Sequence, residues 1–138
     1  MHMKRHIEVV GAIFIDDQKN VFCTRRTGTR EMALKWEFPG GKIEPFETPQ
    51  EALKREIMEE LESDITVLDH FLTVNHEYDT FTITFQSFMC DGLSTNYVLN
   101  DHEEARWVHI TDLLSLDWAE ADIPIVNKLM KMLKNSSI

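Results

Sequence analysis

The chain is poor in cysteine, poor in basic charge, and free of long apolar runs. Its two cysteines, Cys23 and Cys90, are isolated and form no CxxC pair. That argues against a disulfide framework or a thiolate zinc site and fits two reduced thiols in a cytoplasmic protein. Lysine and arginine number 14 against 24 aspartates and glutamates, for a net charge of −10. A duplex-binding surface needs a basic footprint, so intact nucleic acid is not an expected partner. An acidic protein that handles phosphates instead needs divalent cations to bridge them. No apolar run approaches the ~18 residues of a membrane helix, and residues 1–6 lack the apolar centre of a signal peptide, so no membrane partner is expected. Internal repeats and low-complexity linkers are absent too. The remainder is ordinary globular composition, 43% hydrophobic and 28% charged. The expectation is a single domain over 1–138, as a monomer or homodimer.

Residues 6–15 are apolar at both alternating phases, which predicts a strand buried from both sides. The polar run 16–20 and the strand-like stretch 21–26 then predict a hairpin with it. Residues 27–35 read as a loop, and Arg25, Arg26 and Arg30 stand upstream of the acidic segment. A short extended piece at 36–38 ends in Pro39-Gly40-Gly41. Thr48, Pro49 and Glu51 stand at N-cap, first-turn and capping-box positions, predicting a helix over 49–61. Leu53, Ile57 and Leu61 give it one apolar stripe. Strands are predicted over 65–75 and 80–86, the second continuing through Phe88-Met89 after a bulge, and over 106–110. The polar span 92–104 is long for a structureless connection and so reads as a functional loop. A short helical turn over 111–114 capped by Thr111, and a last amphipathic helix over 124–134 with Ile125, Leu129, Met132 and Leu133 inward, complete the pattern. The order is that of an α/β sandwich.

The segment 36–63, WEFPGGKIEPFETPQEALKREIMEELES, carries the densest charge. At 100° per residue Glu56, Glu59 and Glu60 fall close together beside the apolar stripe. Their place in the C-terminal half of the helix opposes the helix dipole, and like charges three and four apart repel. A solvated acidic face is one reading. The other is a hard cation, Mg²⁺ or Mn²⁺, gathered by carboxylates at this spacing. Spacing alone leaves both open.

The run Gly41-x5-Glu47-x7-Arg55-Glu56-Ile57-x-Glu59-Glu60 resembles the Nudix box, G-x5-E-x7-R-E-U-x-E-E-x-G-U with U aliphatic. WEFPGGKIE, Arg25-Arg26, Arg106-Trp107-Val108 and Ala121-Asp122-Ile123-Pro124 are similar to MutT-like relatives, so the resemblance covers nearly the whole chain. It implies an α/β/α sandwich with a mixed β-sheet between helices, and a box over residues 41–63. The implied activity is Mg²⁺-dependent hydrolysis of a nucleoside triphosphate, oxidised dGTP or a pyrimidine triphosphate, to the monophosphate and pyrophosphate, with Mn²⁺ a substitute metal. Another nucleoside diphosphate derivative, such as a nucleotide sugar or dinucleotide, and a non-catalytic nucleotide sensor are the competing readings.

By the same resemblance, Glu56, Glu59 and Glu60 hold the metal, with the Gly40 carbonyl as a further ligand. Arg55 orients the carboxylates and Glu47 supports the loop, unless Glu47 merely complements the helix dipole. Counting back from Trp107 points to Asp101 as the acidic loop residue that serves as general base, with Glu103 and Glu104 as substitutes. His102 is a weaker candidate, a lone loop histidine being more often a surface residue, and a box glutamate is the alternative base. Arg26 and Lys42 are assigned to the phosphate tail, Tyr78 and Asp122 to the base. Phe81 could stack on or wall the base beside Tyr78, but its place in the alternating strand favours the core, and Asp122 has a competing reading as a helix cap. Two positions depart from the pattern: Glu62 replaces the box glycine and Ser63 replaces an aliphatic residue. Phe46, at a position the box leaves free, stands where close relatives often have glycine.

Overall fold

A computed structural model describes residues 4–29 and 33–135; Arg30 and the side chain of Leu133 lie outside what it describes. Strands Arg5–Ile13 (β1), Asn20–Arg26 (β2), Trp36–Glu37 (β3) and Gly40–Lys42 (β4) precede the helix Pro49–Leu61 (α1). Strands Thr66–Glu77 (β5), Phe81–Asp91 (β6) and His102–His109 (β7) come next, then two 3₁₀ turns, Ile110–Ser115 and Glu120–Asp122, and the helix Ile123–Asn135 (α2).

The strands form two sheets, ordered β4-β1-β6-β5 and β3-β2-β7. The four-stranded sheet is mixed: β1 runs parallel to β6 and antiparallel to β4. The predicted β1–β2 hairpin is not the arrangement found. Asp16 Oδ1 accepts the Gln18 and Asn20 N–H groups and closes the turn, yet β1 and β2 part after one bridge, Ile15 to Val21. The reason lies in the apolar pattern of β1. A strand buried on both faces is most stable between two neighbours, and β6 and β4 take those places, while β2 pairs with β7 and β3.

Strand side chains alternate between two cores. Val10, Ala12, Phe14 and Phe22 meet Ala52, Leu53, Ile57 and Leu61 of α1. Ile13, Val21, Cys23 and Phe85 meet Ile125, Val126 and Leu129 of α2 on the other face. The expected α/β/α sandwich results. Leu53, Ile57 and Leu61 are fully buried as the stripe predicts, each contributing about 1.5–3 kcal/mol. Both halves of the capping box at Thr48 and Glu51 are present.

Several boundaries differ from expectation. β6 runs unbroken, and the irregularity lies opposite, in β5 between Val67 and Leu72. β7 starts at His102, shortening the loop to 92–101. The turn after β7 is capped by His109 rather than Thr111. Met132 is exposed, because the inward stripe of α2 runs through Ile125, Val126 and Leu129. No described helix is long and apolar enough to cross a membrane.

Candidate active site

The segment from Trp36 to Lys42 passes from β3 in one sheet to β4 on the edge of the other. It puts a glycine-lined edge between α1 and a cleft on the α2 side. Gly40 lies tight against β1, where an added Cβ would meet the Val10 carbonyl oxygen at 1.9 Å. An added Cβ on Gly41 would meet Glu56 Oε2 at 2.3 Å. The first glycine of the box thus leaves room for the carboxylate of Glu56 from α1, which a side chain there would push aside.

On the α1 side, Arg55 gathers the acids. Its Nε and Nη2 grip Glu47 at 2.7 and 2.9 Å, and its Nη1 donates to Glu56 Oε1 at 2.8 Å and Glu59 Oε2 at 3.4 Å. The bidentate pairing holds the Glu47 carboxyl down to about 2, and Glu47 in turn, before Glu56, holds Arg55 protonated. Glu47 is thus the clamp of Arg55, not a simple complement to the helix dipole.

Glu60 differs from its neighbours. It is 4% exposed, and neither carboxyl oxygen has a hydrogen-bond partner. Burial first, then Glu56, with smaller effects from Glu37 and Asp101, pushes its carboxyl up to about 10. Asp101 is therefore close enough for its charge to act on Glu60. Among the described residues no three His, Cys, Asp or Glu side chains close on one point as they stand. Arg55 occupies Glu56 and Glu59, while Glu60 keeps two hard oxygens free of hydrogen bonds in an acidic surrounding. That donor set fits a divalent cation.

Glu37 is not among the residues that the sequence singles out, and His102 is there only a weaker candidate. His102 is buried, not a surface residue, with Nε2 2.9 Å from Glu37 Oε2 and 3.7 Å from Glu60 Oε1. Glu37 Oε1 accepts from Arg26 Nη1 at 2.7 Å. A polar chain thus runs from Arg26 through Glu37 and His102 to Glu60. Periodicity gives no sign of it, since its members come from β2, β3, β7 and α1. Glu103 and Glu104 are drawn away from the site by Arg25, at 2.8 and 3.4 Å. Arg25 itself lies over the Trp36 ring and outside the cleft.

The cleft has a volume of ≈ 190 Å³. Val9, Ile83 and Phe85 contribute apolar wall, Arg26 and Lys42 cationic rim, and Asp122 a buried carboxyl. Tyr78 and Phe81 stack in its wall with centroids 4.7 Å apart, so Phe81 is a wall residue rather than a core one. The Tyr78 hydroxyl accepts the Ala121 N–H at 3.3 Å. Asp122 Oδ1 accepts the Phe38 N–H at 3.0 Å, which ties the α2 entrance to the segment between β3 and β4. Burial first, then Glu37, raises the Asp122 carboxyl well above the ordinary range. Arg26, Lys42, Tyr78, Asp122 and Gly40 all line this one cleft, and Glu56 reaches its edge at Gly41.

The sequence matches the NUDIX domain over residues 5–129. The chain belongs to the Nudix family. It is 27% identical over 128 residues to an 8-oxo-dGTP diphosphatase of Escherichia coli K12, covering 93% of this chain and 99% of that one. It is 31% identical over 126 residues to the CTP pyrophosphohydrolase of the same organism, covering 91% and 93%. The solution structure of a MutT protein, a Nudix hydrolase from methicillin-resistant Staphylococcus aureus 252, is 42% identical with a TM-score of 0.76, covering 94% of this chain and 99% of that one. This chain is a Nudix hydrolase of MutT type, an enzyme of phosphoric anhydride bonds.

Within the Nudix pattern the departures now have structures. Glu62 takes the left-handed conformation of the missing glycine, with φ 51° and ψ 45°, at a cost of roughly 1 kcal/mol. Phe46 has φ 68° and is fully exposed. It comes after Pro45 in a turn closed by Glu47 N–H to the Glu44 carbonyl at 3.1 Å, the position where a type II turn asks for glycine.

Proposed function

We propose that this Nudix hydrolase cleaves nucleoside triphosphates to the monophosphate and pyrophosphate with Mg²⁺ as cofactor. The observation that carries this reading is the buried Glu60 carboxyl, without a hydrogen-bond partner and set among acids, near a cleft of ≈ 190 Å³. Glu56, Glu59 and Glu60 are its ligands to the metal, with the Gly40 carbonyl beside them. Bound there, Mg²⁺ supplies charge neutralisation on the phosphate oxygens. Arg55 keeps Glu56 and Glu59 poised at the edge of the cleft. Arg26 and Lys42 steady the phosphate tail, and Asp101 takes the proton of the attacking water.

The base sits against the apolar wall, flanked by Tyr78. Asp122 accepts from Phe38 and, held protonated by burial, donates to the base edge. A donor at that place suits a guanine-type acceptor, which favours guanine nucleoside triphosphates, oxidised dGTP among them; the relative named CTP pyrophosphohydrolase keeps a pyrimidine triphosphate as the second reading.

The test is pyrophosphate release from canonical and oxidised triphosphates, with and without Mg²⁺. We expect release that depends on Mg²⁺ and disappears in Glu59→Gln with the fold intact. Tight nucleotide binding without release from any triphosphate would overturn the reading, as would an undiminished rate in Glu59→Gln.

A further inference from the structure

The two departures at the end of the Nudix box meet the loop that carries Asp101. The last carbonyls of a helix lack partners within it. Here Glu62 N–H serves Met58 at 3.1 Å, and loop 92–101 serves the rest. Asn100 Nδ2 donates to the Glu59 carbonyl at 2.8 Å, Asn100 N–H to Glu60 at 3.0 Å and Val98 N–H to Leu61 at 3.2 Å. The side chains of Glu62 and Ser63 add three bonds that the family's residues could not. Glu62 Oε2 accepts from Asn100 Nδ2 at 3.0 Å. Ser63, 1% exposed, donates its hydroxyl to the Leu61 carbonyl at 3.3 Å and accepts the Ser94 N–H at 3.1 Å.

Glycine at 62 would hold the left-handed exit without strain, and an aliphatic residue at 63 would bury no hydroxyl. Local stability therefore asks for the family pattern, and this chain departs from it at adjacent positions that both reach the same loop. Asn100 directly precedes Asp101, whose charge is felt at Glu60. On the other side, His102 is anchored on Glu37.

We propose that Glu62 and Ser63 form a latch that holds loop 92–101 on the carboxyl end of α1 and so positions Asp101 for the reaction. Glu62, Ser63 and Asn100 are positioning residues. The catalytic part of this inference rests on the role given to Asp101 above; the latching of the loop does not.

The experiment joins amide hydrogen exchange at Ser94, Val98 and Asn100 with steady-state hydrolysis of the triphosphate turned over fastest in the panel. In Glu62→Gly, exchange should quicken about tenfold or more while the thermal midpoint holds or rises. The same variant should lose about five- to tenfold in kcat with KM within about twofold, because only orientation is disturbed. Ser63→Val should quicken exchange at Ser94 most. Glu62→Gln keeps an acceptor and should restore both readouts. In an Asp101→Asn background, Glu62→Gly should cost no further turnover. Unchanged exchange in both Glu62→Gly and Ser63→Val overturns the latch, and undiminished kcat in Glu62→Gly overturns its catalytic part. The same loss of turnover with and without Asp101 shows that the latch does not act through that residue and also overturns that part. Full activity in Asp101→Asn instead defeats the base assignment, with exchange alone deciding whether the loop is latched.

Discussion

The helices α1 and α2 have the same length, 13 residues, and the same anchoring physics, yet only one of them carries the acids of the site. Each buries an apolar stripe against one face of the sheet layer: Leu53, Ile57 and Leu61 on one side, Ile125, Val126 and Leu129 on the other. Beyond its stripe α1 also buries Glu60, whose carboxyl oxygens have no hydrogen bond, the His102 ring standing 3.7 Å from Oε1. Leaving a carboxyl in that state is costly. Helix α1 therefore gives up stability at its site, while α2 holds the opposite core and contributes through the Asp122 that precedes it.

The largest break of this comparison is on the α2 side. Leu129→Ala should cost about 2–5 kcal/mol in urea unfolding, with kcat per folded molecule little changed. A loss below about 1 kcal/mol would mean that α2 is not the anchor described.

Glu60→Gln should act in the opposite sense, abolishing hydrolysis while raising stability in the absence of metal. The sign comes from the raised carboxyl. Between the unfolded value of 4.5 and about 10, the folded state holds a proton that the unfolded chain has released. Wild-type stability from this group is thus fully present below pH 4.5 and is lost as pH rises towards 10. The urea midpoint of the wild type should fall relative to Glu60→Gln between about pH 5 and pH 9 in chelator, and Mg²⁺ should narrow the gap most at high pH. Parallel pH profiles for the two proteins would refute the burial of a Glu60 carboxyl without a hydrogen bond.

The smallest effect belongs to the loop before α1. Phe46→Gly should gain about 1 kcal/mol, since it relieves a left-handed backbone and removes no packing. A loss on thermal unfolding would show that the ring has a partner.

Much of α1 was legible in the sequence because its signals are local. Thr48 and Glu51 are three residues apart, the leucine and isoleucine stripe repeats every fourth residue, and the acids lie within two turns of Arg55. The apolar phases of residues 6–15 announced a strand buried on both faces, which holds from Val10 to Ile13, while His6 and Glu8 are exposed. Pairing was less legible: the hairpin expected between β1 and β2 rested on a turn signal, and the neighbours that won, β4 and β6, lie far along the chain. The site shows the same division. Glu37 was missed and His102 ranked low because a glutamate in a short strand and a histidine at a strand start look unremarkable until folding brings them 2.9 Å apart. Phe81, expected in the core, turned out to share the cleft wall with Tyr78.

By itself the sequence determined which helix would be acidic, how it would start, and which family's pattern it matches, because those features are set by residues within a few turns of one another. The tertiary structure alone decided which of three similar glutamates is buried without a hydrogen-bond partner, and that Glu62 and Ser63 would reach loop 92–101. Burial and long-range hydrogen bonds depend on the arrival of β7, β3 and that loop around the end of α1, and nothing in the local spacing of α1 encodes their arrival.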